Sequence, residues 1–240
     1  MDTIKIADKG GTKLVAHRGL SGLEQENTCA AFVAAGNRSY YGIETDLRRT
    51  ADGKFVLLHD EDTARVCIDK LIPEESTYRT LRRLQCKDID GAFGRRDLMP
   101  ATLEEYVSIC KKYDKIGYLE LKGSYSSEQL QVILDTLRGC GYEQGIVFIS
   151  FQLANLLNLR ELVPRAPAQW LTADASQETI RTAIENRLDI DAQFKCLTPE
   201  NVRIMHENGV TVNCWTVNKP EDARRLIQMG VDQITTNILE

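Results

Sequence analysis

The sequence predicts an α/β fold: a single (β/α)8 TIM barrel over residues 1–240, with a capping insertion after the second strand, at about residues 61–99. Three observations predict it. Eight short apolar runs alternate with helix-like segments along the 240 residues. That pattern is the signature of a parallel sheet with helical crossovers, and eight units in this length favour a closed barrel over an open doubly wound sheet. Charged and aromatic residues gather at the C-terminal ends of the runs, the rim that carries the chemistry of such barrels. The alternation breaks once, from Glu61 to about Met99, in a charged, irregular stretch longer than an ordinary connection.

The first run is Leu14 to Ala16, followed by a helix from about Thr28 to Arg38 with Asn27 or Thr28 as cap. The second is Ile43 to Leu47, with a hairpin return at Phe55 to Leu58. The insertion holds one short helix, near Thr77 to Leu84. Thr102, with Glu105 three residues on, opens a helix to about Tyr113. The third run, Ile116 to Lys122, leads to a helix at Ser127–Arg138, and the fourth, Ile146 to Phe151, to one at Ala154–Leu162. Ala168 to Thr172 is the fifth, before a helix from Gln177 to Asn186, and the sixth lies near Ile190 to Phe194. Pro199, just after Thr198, suits a first helical turn, and Gly209 a helix end. The seventh run is Val210 to Val217. A last helix, Pro220 to Met229, precedes the eighth run, Asp232 to Thr236.

Side chains alternate faces along a strand. Glu44 and Asp46 therefore share one face of the second run, with Ile43, Thr45 and Leu47 on the other. Two carboxylates side by side repel unless a cation or a shared proton lies between them, and oxygen-only ligation suits Mg²⁺, Ca²⁺ or Mn²⁺. Tyr118, Glu120 and Lys122 share a face of the third run, opposite Leu119 and Leu121. Asp52-Gly53 between two β-like runs signals a two-residue hairpin loop. Ala51 would then face Lys54, and Asp46 would face His59. His17 ends the first run, and Gly19 lets the chain turn there. His206, within a helix and away from any run's end, reads as structural.

Net charge is −5, the pI is near 5.4, and there is no basic stripe, which argues against a nucleic-acid binder. The seven cysteines are irregularly spaced with no Cys-x-x-Cys. Cys86, Cys110, Cys140 and Cys214 read as small apolar residues, and a reducing compartment is expected. The N-terminal stretch has no apolar core of a signal peptide, and no run is long enough to span a membrane. A cytoplasmic protein without stable membrane association is the expectation.

The ordered motifs resemble the glycerophosphodiester phosphodiesterase family over nearly the whole chain. They are HRG at 17–19, ENT at 26–28 with Ala31-Phe32 after it, IETDL at 43–47, Thr50 with Asp52-Gly53, HD at 59–60 followed by Arg65, ELK at 120–122, SF at 150–151, WTVN at 215–218 and GVDQITT at 230–236. Two places depart: Gln25 stands where the family often has proline, and Thr236-Asn237-Ile238-Leu239 stands where it usually has Thr-Asp followed by proline.

The resemblance implies the same barrel, His17 and His59 as the acid–base pair, Glu44, Asp46 and Glu120 as ligands of one divalent cation, and 3-phosphoglycerol diesters as substrates. Arg18 and Lys122 are candidate phosphate contacts, and Phe151 and Trp215 candidate walls for the glycerol or alcohol. The attacking group is water or the glycerol 2-hydroxyl. Two other functions fit a barrel with these motifs: a related phospholipase acting on lipid phosphodiesters, and a barrel that binds phosphodiesters without turnover.

Overall fold

The structure is a computed structural model and describes residues 2–240. Its strands are β1 (Lys13–Ala16), β2 (Gly42–Arg49), β3 (Phe55–Leu57), β4 (Ile116–Leu121), β5 (Ile146–Ser150), β6 (Ala168–Thr172), β7 (Asp189–Gln193), β8 (Val212–Trp215) and β9 (Gln233–Thr236). All but β3 run parallel, each paired with the next, and β1 pairs with both β2 and β9, so the sheet closes into an eight-stranded barrel. The expected fold class is the one observed.

Helices α1 (Cys29–Gly36), α2 (Tyr78–Leu81), α3 (Leu103–Lys112), α4 (Ser127–Gly139), α5 (Leu153–Leu162), α6 (Gln177–Glu185), α7 (Pro199–Glu207) and α8 (Pro220–Met229) fill the connections. Their starts are written locally. Thr28 accepts the Ala31 N–H ahead of α1, and reciprocal capping boxes open α3 (Thr102 with Glu105), α4 (Ser126 with Gln129) and α7 (Thr198 with Asn201). These bonds satisfy backbone donors that have no partner inside the helix.

Alternation along the strands divides the interior. Ile43, Leu47, Leu119 and Leu121 pack outward with Phe32, Tyr106 and Leu134 in the main core. Val15, Tyr118, Ile149 and Leu171 form a separate cluster on the opposite strand faces, inside the barrel. Gln169 and Gln233 share an amide hydrogen bond of 3.0 Å on those inner faces, and Asn213 donates to Gln169. Filling the lower barrel this way leaves the C-terminal rim as the place where charge collects.

The hairpin differs from expectation. Leu47 pairs with Leu57, Arg48 with Val56 and Arg49 with Phe55, so the loop is the three residues Ala51-Asp52-Gly53. Gly53 takes a left-handed conformation (φ +75°), as a three-residue loop closing on a bulge requires. Thr50 stabilises it by donating to Asp52 and accepting the Lys54 N–H. The register moves by one residue: Leu58, not His59, lies beside Asp46 and donates to its carbonyl at 2.9 Å. His59 reaches the rim from beyond the strand.

The stretch from 61 to 99 is less bare than expected. A 3-10 turn (Pro73–Glu75), α2 and a bridge between Cys67 and Cys86 organise it. Val66, Cys67, Leu81, Leu84, Cys86 and Leu98 pack on Val56 and Leu58 in a second apolar cluster. Among the described residues, no helix is long and apolar enough to cross a membrane.

Candidate active site

Strands β2 and β4 lie side by side with Asp46 opposite Glu120, so their inward carboxylates converge. One oxygen each from Glu44, Asp46 and Glu120 lies within 4.8 Å of the others, and all three residues are buried. Burial, then repulsion from Asp46 and Glu120, pushes the Glu44 carboxyl well above the usual range. Glu120 is raised to about 7 by burial and by Asp46, against the pull of Lys122. At Asp46 burial opposes the charge, but Arg18, Lys122, His59 and an Asn27 hydrogen bond outweigh it and hold the carboxyl low. Asp46 Oδ2 accepts from Asn27 Nδ2 at 2.8 Å, whereas its buried Oδ1 has no hydrogen-bond partner. A buried anionic oxygen without a donor is costly. Three hard oxygen donors around such an atom fit a divalent cation.

His17 follows β1 directly. Its Nδ1 lies 2.7 Å from Asn237 Oδ1. An amide oxygen only accepts, so Nδ1 carries the proton and Nε2, 3.9 Å from Glu44, is left free. Burial, then Arg18, lowers its pKa to about 4. His59 is held the same way: Nδ1 donates to Asp60 Oδ1 at 2.7 Å, and burial lowers its pKa. Asp60 in turn accepts from Arg65 Nε at 2.6 Å.

Arg18 sits at φ +55°, an uncommon conformation for a side-chain-bearing residue. The twist aims its backbone N–H at Glu44 Oε2 (2.7 Å), while its guanidinium donates to Glu26 at 2.9 Å and stands 3.4 Å from Asp46. Lys122 pairs with Glu120 at 2.9 Å and stands 3.7 Å from Asp46. The Phe151 ring, 45% exposed, meets Trp215 edge to face at 5.4 Å.

Two cavities open on this cluster. One of about 170 Å³ is lined by His17, Arg18, Glu44, Trp215 and Asp191 among others; a wider cleft of about 650 Å³ is lined by Arg48, Asp60, Glu61, Asp62 and Lys122 among others. His59, Glu120 and Phe151 border both. All nine residues singled out in the sequence therefore meet at one end of the barrel. His206 does not: it pairs with Asp232 at 2.9 Å on the surface.

The family model for "Glycerophosphoryl diester phosphodiesterase family" matches residues 17–240. The chain belongs to that family. A glycerophosphodiester phosphodiesterase of Caldanaerobacter subterraneus subsp. tengcongensis is 28% identical over 233 residues, covering 94% of each chain. One of Bacillus subtilis (strain 168) is 29% identical over 245 residues, covering 93% of this chain and 82% of that protein. Among solved structures, a glycerophosphodiester phosphodiesterase of Parabacteroides distasonis superposes with a TM-score of 0.81 at 27% identity, over 96% of this chain and 94% of that one. An Oleispira antarctica phosphodiesterase in complex with the product sn-glycerol-3-phosphate gives 0.86 at 21% identity, over 94% and 92%; it shows the shared fold.

Within this glycerophosphodiesterase-family barrel, sequence reasoning missed several supporting residues. Glu26 ties Arg18 to Arg65, accepting from Arg65 at 2.7 and 2.8 Å. Asn27, expected only as a helix cap, bridges Asp46 and Thr45 from a left-handed backbone (φ +55°). Asp191 is buried on β7 at the wall of the smaller cavity, with Oδ1 unpartnered. Burial, then Glu120, pushes its carboxyl up. The alternation of Asp189 and Asp191 in β7 repeats that of Glu44 and Asp46, and was the available signal.

Proposed function

We propose that the protein hydrolyses glycerophosphodiesters to sn-glycerol 3-phosphate and an alcohol. The observation that carries this reading is the convergence of Glu44, Asp46 and Glu120, with the orphaned Asp46 oxygen, beside His17 and His59 in a family-matched barrel. The glycerophosphodiester phosphodiesterases of Caldanaerobacter subterraneus and Bacillus subtilis that the chain resembles support the substrate class.

Glu44, Asp46 and Glu120 would hold one Mg²⁺, Ca²⁺ or Mn²⁺, which when bound supplies positive charge to the phosphoryl group. Arg18 and Lys122 add cationic donors from the protein. Both are anchored by carboxylates, so their charges are in place before substrate arrives. Two proton transfers are needed, one from the attacking hydroxyl and one to the departing alkoxide. His17 and His59 share them, each with Nδ1 fixed by a partner and Nε2 free to exchange a proton. Phe151 and Trp215 give apolar wall to the three-carbon backbone or the alcohol. The irregular spacing of the seven cysteines, with no Cys-x-x-Cys, fits a cytoplasmic location.

The test is product identification. Glycerophosphocholine and glycerophosphoethanolamine should each yield sn-glycerol 3-phosphate. His17→Ala and His59→Ala should each lower kcat by about 100- to 10,000-fold. Near-normal turnover in either variant would remove that histidine from the chemistry. Choline-phosphodiester cleavage in phosphatidylcholine vesicles, as fast as in the soluble diester, would replace this reading with a phospholipase.

A further inference from the structure

None of the cysteines takes part in the proposed chemistry, yet two of them touch. Cys67 and Cys86 oppose each other in an antiparallel bridge within the insertion, with their Sγ atoms 3.2 Å apart. The flanking bonds run from the Ile68 N–H to the Gln85 carbonyl (3.1 Å) and from the Lys87 N–H to the Val66 carbonyl (2.8 Å). Cys67 and Cys86 therefore occupy a non-hydrogen-bonded pair, where Cα atoms approach to about 4.5 Å. Disulfides span Cα separations of about 4.4–6.8 Å, so the backbone already fits the bond. Both side chains are buried in the apolar cluster under the insertion. Cys86 also borders a small pocket with Glu26, Asn27 and Pro100.

We propose that Cys67 and Cys86 are an oxidation site at which a hydroperoxide joins the two thiols into one disulfide. The first sulfur, as thiolate, attacks a peroxide oxygen; the O–O bond breaks, hydroxide leaves and takes up a proton, and a sulfenic acid forms. The second sulfur attacks that sulfenic sulfur, the S–O bond breaks, and the S–S bond forms as water departs with the remaining thiol proton. Two thiols and one hydrogen peroxide give one disulfide and two waters: sulfur is oxidised and peroxide oxygen reduced. The partner thiol first, and burial second, push the Cys86 pKa up, so little of it is thiolate and the oxidation is slow.

The bond has a structural consequence. Cys67 lies two residues beyond Arg65, which clamps Asp60 and Glu26. A disulfide would tie this segment to the chain at 84–86 and brace the insertion beside the wider cleft.

The experiment treats the intact, folded protein with hydrogen peroxide, blocks remaining thiols, digests without reduction and maps the peptides by mass spectrometry. The expected result is one cross-linked pair containing Cys67 and Cys86, lighter by two hydrogen atoms and separated by dithiothreitol. Cys86→Ser and Cys67→Ser should each lose it. Proteolysis within residues 61–99 should be slower in the oxidised protein than in the reduced one. Recovery of Cys67 and Cys86 as separately blocked thiols or as sulfinic acids, or pairing with other cysteines instead, would overturn the proposal.

Discussion

Asn237 holds His17 in place across 220 residues of chain. It stands where the family usually has aspartate, so His17 leans on a neutral amide rather than a carboxylate. A carboxylate at that position would favour the imidazolium. Asn237→Asp should therefore raise the His17 pKa above its value of about 4, read from the imidazole proton shifts in an NMR titration; an unchanged or lower value would contradict the contact. The same contrast explains what was legible at this scale. Glu44, Asp46 and Glu120 were legible because a strand's two-residue alternation fixes which neighbours share a face. Asn237 and Glu26 were not, because their roles come from partners brought close only by barrel closure and by the insertion. Asn237 stood out in the sequence as a departure, without showing what it touches.

At the scale of elements, helix starts were readable because a cap is a bond between residues three apart. The β2–β3 hairpin was not, because an Asp-Gly pair serves a two-residue loop and a three-residue loop alike, and the Thr50 bonds that choose between them appear only in the folded turn. The turn after β1 shows how an element can depend on one residue. Gly19 has φ +76°, and a Cβ there would lie 2.7 Å from the Ala31 backbone. Gly19→Ala should destabilise the protein by about 1–3 kcal/mol through the left-handed backbone alone. Because His17 and Arg18 precede it, activity should fall as well. Urea unfolding and turnover check the two effects separately, and a fully stable, fully active variant would contradict the packing described.

Over the whole molecule, eight runs were enough to specify closure, whereas the clasp that joins the chain's two ends was not foreseen. Glu240 accepts from Thr3 and from the Ser39 N–H and hydroxyl, and pairs with Lys5 at 2.7 Å. Burial raises its pKa, but these bonds outweigh it and bring the carboxyl to about 2. A depressed folded-state pKa contributes stability that is present above the unfolded value, about 4.3, and is lost as pH falls toward 2. Unfolding free energy should thus drop between about pH 5 and 2, and Glu240→Gln should flatten part of that drop while costing about 1–3 kcal/mol at neutral pH. An identical acid profile in the variant would show that the clasp contributes nothing.

The carboxylate cluster is tested most directly by release of sn-glycerol 3-phosphate from glycerophosphocholine after metal stripping, with Mg²⁺, Ca²⁺ and Mn²⁺ added back separately and binding followed by calorimetry. The predicted result is no turnover in the stripped protein, recovery as one equivalent of a divalent cation binds, and loss of both binding and recovery in Glu44→Gln. Full turnover after stripping, or unchanged cation binding in Glu44→Gln, would contradict the assignment of Glu44, Asp46 and Glu120 as the metal site.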